Sequence, residues 1–404
     1  MLLSLAWKNV WRNKKRSLII IAAIGLGLWG SLFAGAVWMG WGESMVDSAI
    51  DRDLAHIQIH QANYLQDKII RNFIPNGFQV LQECRHITGV QAVSGRTLIE
   101  AMAASPASNF GVKIVGIVPE QARQVTDIHK RLIAGNYFES DPKNPVVIGK
   151  KLADRLNLRL KSKIVLSFQG LDGTFNYVAC RIVGIYKTES KFFDESHVFM
   201  KQSDLFRLLN SSPILHEIAI RAKSSQLMPI VEQTAKTRFP DLSVKTWKEL
   251  APGIAITSAT MESFTYMFIM IILFALLFGI TNTMLMAVME RFRELGVLIA
   301  VGMKQGRIFS MILLETIMLS LTGGIIGFLL GAGTIAYTTQ KGIDFSAFAS
   351  GLASFGASTI VHPILPLEMY IALPIMIIFT ASISAILPAW KAIHIQPADA
   401  VRIY

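Results

Sequence analysis

Residues Phe264–Met289 read FTYMFIMIILFALLFGITNTMLMAVM, 26 consecutive positions without a charge. A helix needs roughly 20 apolar residues to cross about 30 Å of hydrocarbon, so this run predicts a transmembrane helix. Three further runs pass the same test: Leu18–Gly42, Ile308–Tyr337 (broken only by Glu315) and Met369–Trp390. The four runs hold 103 of the 404 residues, which accounts for a chain that is 52% hydrophobic and only 17% charged. Roughly 25% charge is usual in a soluble domain, and a free soluble protein is excluded.

The net charge of +11 raises the question of a nucleic-acid partner. Its distribution answers it. The short segments 1–17, 290–307 and 391–404 carry 11 Lys/Arg and only three acids, Glu290, Glu294 and Asp399, whereas segment 43–263 has 27 basic residues against 22 acidic. Loops rich in Lys and Arg stay in the cytoplasm, so both termini and the 290–307 connection are expected inside, and 43–263 and the short loop 338–368 outside. Four crossings agree with both termini lying on one side. The charge therefore records orientation in the membrane, and no nucleic-acid partner is expected. Lys8, Arg12, Lys14, Lys15 and Arg16 ahead of an apolar run resemble a secretory signal, but 25 uncharged residues exceed an h-region of about 7–15, which favours an uncleaved anchor. Trp7, Trp11, Trp38, Trp41 and Trp390 fall at the expected helix ends, where indole rings favour the headgroup layer among membrane lipids.

The expected fold is thus an α-helical membrane protein with four transmembrane helices and a large mixed α/β domain inserted between the first and second. The domain is expected over 43–263. Strand-like runs occur at Ala55–His60, Val112–Val118, Val146–Ile148, Lys163–Phe168, Tyr177–Tyr186 and Glu217–Ile220. Helical patterns alternate with them at Gln79–Arg85, Glu120–Ile133, Lys151–Leu156 and Ser225–Arg238. The strand-dense stretch Asn144–Tyr186 suggests a β-rich lobe inserted between two α/β pieces. Trp41–Asp53 and Trp247–Ser263 run into the membrane spans without a strong breaker after Gly253, so the first two helices are expected to continue outward as a stalk.

Several kinds of chemistry find no support. The phosphate-cradling pattern G-x-x-x-x-G-K-[ST] is absent from the sequence, since Gly149-Lys150-Lys151 lacks the upstream glycine and the hydroxyl; no ATP site and no catalytic site are expected on this chain. His56 and His60 have a spacing that would share a metal on a helix, but on a strand it separates them by roughly 13 Å at about 3.3 Å per residue, and no metal site is expected. His216-Glu217 has no second histidine at zincin spacing, and no G-x-S-x-G occurs. Cys84 and Cys180 both fall outside, where an oxidising compartment permits a disulfide, but 96 positions apart nothing in the sequence shows that they meet, and two unpaired, partly buried thiols are the favoured reading. Glu315, an acid inside a span, reads either as a proton carrier or as a packing and hydrogen-bonding group near the helix end. Gly27, Ser31 and Gly35 in the first span, and Gly323, Gly327 and Gly331 in the third, recur every four residues and predict close helix packing.

Between the second and third spans lies Glu290-Arg-Phe-Arg-Glu-Leu-Gly-Val-Leu-Ile-Ala-Val-Gly302-Met303, with apolar Leu295, Leu298, Ile299 and Val301 after a charged start, which suggests a short amphipathic helix. This segment resembles the signature of the FtsX/MacB/LolC-LolE permeases, the membrane subunits of type VII ABC transporters. Leu5–Arg16 is similar to that family's basic N-terminal helix, Leu313-Leu-Glu-Thr with the glycine stripe to its third span, and Pro388-Ala-Trp-Lys-Ala with Pro397–Arg402 to its terminus. HIQIHQANYLQD (His56–Asp67), VPEQ (Val118–Gln121) and VVIGKKLADRLNL (Val146–Leu158) look closest to the LolC/LolE-like, lipoprotein-releasing branch.

The resemblance implies a bacterial inner-membrane permease that works by mechanotransmission with a dimer of separate ATPase subunits and a second permease copy, identical or related. ATP and Mg would sit on the ATPase. Arg291, Arg293, Glu294, Leu295, Gly296, Leu298, Ala300, Gly302 and Met303 would form the ATPase-coupling helix, with Glu294, Leu295, Gly296 and Gly302 foremost in contact. The cargo it implies is a lipoprotein or other amphiphile, handed to a periplasmic carrier in that branch. MacB-like efflux and an FtsX-like signalling scaffold without transport are the alternatives.

Overall fold

The computed structural model describes residues 7, 11–139, 142–348, 351 and 358–394. Four of its helices are long and apolar enough to cross a membrane. Helix α1 spans Lys14–Ala49; the remaining three begin after the large inserted domain. That domain contains α2 (Gly77–Arg85), α3 (Pro119–Val125), α4 (Lys150–Arg155), α5 (Lys191–Ser196), α6 (Gln202–Leu209), α7 (Met228–Arg238) and α8 (Trp247–Leu250). Then follow α9 (Pro252–Glu290), the short α10 (Phe292–Ala300), α11 (Gln305–Lys341), α12 (Leu367–Ser384) and α13 (Ile386–Ile393). With 36, 39 and 37 residues, α1, α9 and α11 each reach more than 50 Å at about 1.5 Å per residue, well beyond the apolar runs that announce them.

The chain divides into two compact units, Met1–Gly42 with Ala259–Asp344 and Ile360–Tyr404, and Glu43–Ser258 with Phe345–Thr359. In the first, Ile24, Leu28 and Leu32 of α1, Ile280 and Met284 of α9, Ile308, Ile312 and Leu319 of α11, and Leu373 and Ile377 of α12 share one apolar core. Small residues let the helices approach. A Cβ on Gly327 would lie 2.4 Å from the Gly25 carbonyl oxygen, one on Gly323 2.8 Å from that of Ile21, and one on Gly331 2.7 Å from a Leu32 methyl. The stripe on α11 is therefore the face that receives α1. On α1 itself, a Cβ on Gly27 would lie 2.8 Å from a Leu276 methyl of α9 and one on Gly35 3.4 Å from the Thr265 methyl, while buried Ser31 turns its hydroxyl back to the Gly27 carbonyl at 2.8 Å.

In the second unit, strands β1 (Ile57–Gln61), β2 (Val90–Ala104), β3 (Asn109–Ile117), β4 (Leu132–Gly135), β5 (Pro145–Gly149), β6 (Lys163–Gln169), β7 (Phe175–Tyr186), β8 (His197–Lys201), β9 (Glu217–Ala222) and β10 (Leu242–Thr246) form one connected sheet. Its order is β10-β1-β9-β2-β3-β8-β5-β7-β4, and β6 bridges β2 to β7. The pairings β2–β3, β3–β8, β8–β5, β5–β7, β7–β6 and β6–β2 return to their starting strand, so six strands close into a small barrel. Ile114, Ile148, Ile164, Leu166, Ile182 and Met200 pack in its core, as closure without a pore requires. The stretch Asn144–Tyr186 is not a separate inserted lobe. It supplies three of the six barrel strands, and the 15-residue β2 carries the sheet onward, pairing with β9 over Val90–Arg96 and with β3 over Thr97–Ala104.

Sequence periodicity missed β2, β4, β8 and β10. The Glu120–Ile133 helix likewise breaks at Thr126, after which Leu132 begins β4. In β2 the run from Ala92 to Ile99 is buried on both faces, so the alternation that marks a half-exposed strand is lost. Strand β1, which follows α1, pairs antiparallel with β10, which precedes α8 and α9. The chain thus enters and leaves this unit on neighbouring strands. Between α1 and β1 lies a π-helical turn, Ile50–Leu54, ended by buried Ala55 at φ +51°.

Cys84 and Cys180 are free thiols buried in different cores, Cys84 among Val80, Leu81 and Val231, and Cys180 inside the barrel. Burial pushes both up to about 12, so neither is a ready thiolate. His56 and His60 are buried and committed to the backbone: His60 Nδ1 lies 3.1 Å from the His216 carbonyl, and His56 Nδ1 accepts from the Ala222 amide at 3.3 Å. Among the described residues no cluster of histidine, cysteine and acid side chains could hold a metal.

Candidate functional site

Helix α10 is short and has a defined stop. Arg291 stands at its N-cap position without a side-chain cap bond, and at the other end Gly302, at φ +92°, takes the left-handed conformation that a side chain would strain. The Gly302 amide donates to the Ile299 carbonyl at 3.0 Å and the Met303 amide to that of Leu298 at 3.0 Å, the paired bonds of a Schellman stop. Leu298 and Met303, the two side chains that this stop brings together, both pack against the membrane core. Gly302, Met303 and Leu298 thus have a structural reason to stand where they do.

The remaining signature residues divide by face. Leu295, 3% exposed, and Gly296 are buried, Leu295 within the apolar core of the membrane unit. Arg293, Glu294 and Ala300 are exposed. Val297 and Val301 lie on the open side at 51% and 83% exposure, although the amphipathic pattern grouped Val301 with the inward residues. The helix therefore presents an outer surface of two charged and several small apolar side chains. Glu294 is not alone there: it pairs with Arg12.

Beneath this helix lies a cluster of buried charge. Glu315 of α11, whose side chain is 4% exposed, accepts from Arg16 Nη2 of α1 at 2.9 Å and from Arg291 Nη1 at 3.1 Å. Arg16 also lies 3.7 Å from Glu290, the last residue of α9. The packing and hydrogen-bonding reading of Glu315 is the one its geometry supports. Sequence reasoning singled out Glu315, and Arg291 as part of the coupling helix, but did not pair them. Arg16 sat unmarked in a basic run beside Lys14 and Lys15, and the only available signal was that an acid in an apolar span needs a counter-charge.

Residues 266–397 match the family model "FtsX-like permease C-terminal", and residues 17–238 match "MacB-like periplasmic core domain", over half of the chain. The chain belongs to the FtsX/MacB-like family of ABC transporter permeases. As an FtsX/MacB-like permease, it is similar to the macrolide export ATP-binding/permease protein MacB of Agrobacterium fabrum, 24% identical over 89% of this chain and 57% of that protein. It is also 22% identical to an uncharacterized ABC transporter permease of Methanocaldococcus jannaschii, over 99% of this chain and 97% of the relative. This permease thus spans little more than half the length of its MacB relative. Among solved structures, the periplasmic region of MacB from Actinobacillus actinomycetemcomitans is similar at 12% identity and a TM-score of 0.36, covering 52% of this chain and 97% of that one. The extracellular domain of the Gram-positive transporter YknZ is similar at 11% identity and a TM-score of 0.34, covering 47% of this chain and 99% of that one. The Pro397–Arg402 part of the terminal motif lies outside the described residues.

Proposed function

We propose that this permease works with a separate ATPase dimer and a second permease copy in the bacterial inner membrane, both termini facing the cytoplasm. ATP and Mg reside on the ATPase. Helix α10 is the contact: Arg293, Glu294, Val297, Ala300 and Val301 face the ATPase, while Leu295 and Gly296 anchor the helix from below. The observation that carries this reading is Val301, an apolar side chain 83% exposed at the tip of a turn between two membrane helices, where a partner would cover it. ATP-driven closure of the ATPase pair would displace α10 and with it the long helices, moving the outer domain without a pore.

The cargo we propose is an amphiphile, a lipoprotein or another lipid-anchored molecule passed to a periplasmic carrier. A second reading, export of a small molecule in the manner of the MacB relatives, is favoured by where the lipoprotein-releasing resemblance falls. His56–Asp67 and Val146–Leu158 fold as β1 and as β5 with α4, whose Ile57, Ile59, Val146, Ile148 and Leu152 are fully buried. Likeness in such stretches reports packing and carries little about cargo. Affinity purification of the full chain from native membranes tests both: an ATPase with lipoprotein supports release, an ATPase with an outer-membrane channel supports efflux, and absence of any ATPase overturns the transporter. Val297→Glu together with Val301→Glu should abolish ATPase copurification while the permease still accumulates in the membrane. Unchanged copurification would remove α10 as the contact.

A further inference from the structure

Glu315 sits where four elements meet, and this is more than helix packing needs. Its carboxylate touches both α1 and the start of α10 through charge: Oε1 takes Arg16 at 2.9 Å and Oε2 takes Arg291 at 3.1 Å. Glu290 closes the set from the end of α9, giving two cations and two anions. Because the side chains of Arg16, Arg291 and Glu315 are at most 12% exposed, water cannot replace a bond that stretches, and separating the charges in a low-dielectric surrounding is costly. By contrast, the van der Waals contacts of Leu295 and Leu298 permit sliding.

We propose that Glu315 is a positioning residue for energy coupling: it clasps α10 to α1 and α11 through Arg291 and Arg16, so that displacement of α10 by the ATPase is passed to both long helices instead of being absorbed by the turn at Glu290–Phe292. The proposal rests on the ATPase-coupling reading of α10.

The test uses the full chain in lipid nanodiscs with its copurifying ATPase, spin labels at Leu26→Cys on α1 and Phe379→Cys on α12, and MgATP as the probe. Both positions are exposed, and the native thiols are buried. In Glu315→Gln the ATPase should copurify in the same amount and still hydrolyse ATP, while the MgATP-dependent change in label distance falls at least about fivefold; Glu315→Asp, which keeps the charge, should restore most of it. A change of unaltered size in Glu315→Gln overturns the proposal, and so does an Asp variant as defective as the Gln variant.

Should Glu315→Gln fail to accumulate, the apolar triple Arg16→Met, Glu315→Leu, Arg291→Met takes its place, with loss of the distance change supporting and its persistence overturning the clasp. Failure of the parent reading looks different: no ATPase copurifies even with the unsubstituted chain. The clasp is then read by amide exchange without ATPase. Exchange across Phe292–Ala300 should rise about tenfold in Glu315→Gln and return in Glu315→Asp, and unchanged exchange overturns it.

Discussion

Each unit of this protein buries an arginine between carboxylates, and the two sites differ in what they join. In the outer unit Arg96 of β2 donates through Nη1 to Glu217 of β9 at 2.6 Å, and to the carbonyl and the carboxylate of Asp53 at 2.7 and 3.1 Å. It ties the π-helical turn that follows α1 into the middle of the sheet. In the membrane unit, Glu315 joins residues of separate helices that can shift as bodies. The first cluster is enclosed by strands whose register the ladder already fixes. The second has no such frame, since helix faces are held mainly by packing. A buried charge set within a sheet acts as a rivet; one between helices can carry movement. Burial alone would lower the Arg96 pKa, but Glu217 and Asp53 more than offset it and hold the guanidinium charged.

The sharpest way to break this comparison is to remove the rivet. Arg96→Ala leaves buried Glu217, and the half-buried Asp53 beside it, without their cation and should cost about 3–5 kcal/mol, read as a lower thermal midpoint of the full chain in detergent. A loss below ~1 kcal/mol would mean that the strands carry that junction unaided.

Acid should separate the units next. Burial lowers His60 and His197, both in the outer unit, to about 4, so each stays neutral when folded. An unfolded histidine binds its proton near pH 6.5, so the stability these groups contribute is present above that pH. It is lost as pH falls from about 6.5 to about 4, by roughly 3 kcal/mol for each. Asp194 of the same unit, raised by burial to about 6, acts in the opposite sense over that window, so the difference between chains is the check: His197→Phe should lose less exchange-detected stability on acidification than the parent chain, and identical profiles would contradict a buried, neutral His197.

A smaller effect is expected where helices meet without charge. Gly327→Ala places a Cβ 2.4 Å from the Gly25 carbonyl oxygen and should cost about 1–3 kcal/mol by forcing α1 and α11 apart, whereas Gly324→Ala, with open space at that point, should be silent. Equal melting of the two variants would deny the α1–α11 contact. The smallest change is expected for the apolar triple Arg16→Met, Glu315→Leu, Arg291→Met: removing these three together should leave stability within about 1 kcal/mol of the parent chain, because Glu290, the member that remains, is 44% exposed and nothing is left buried and unpaired. A large loss would make the membrane cluster a rivet like the one at Arg96.

How much of this was legible in sequence follows from the range of each interaction. The spans were legible because hydrocarbon selects for uninterrupted apolar length. Gly302 was legible as part of a signature, and the Schellman stop explains it locally. Strand β2 was not legible, since a strand buried on both faces loses its alternation. Nor was the barrel, because strands far apart in sequence close it, β2 meeting β6 across more than 60 residues at Met102 and Ser167.

The sequence by itself thus determined the four spans, the large insertion, the family and the position of the short helix between the second and third spans, all of which rest on composition, local periodicity or motif. Tertiary structure alone decided which face of that helix is open, why Leu295 points inward and Val301 outward, and which basic residue answers Glu315. Those outcomes depend on Arg16, 299 positions away, reaching the same carboxylate as Arg291. Pairing between buried charges is set by where the helices converge, and no pattern along one segment encodes it.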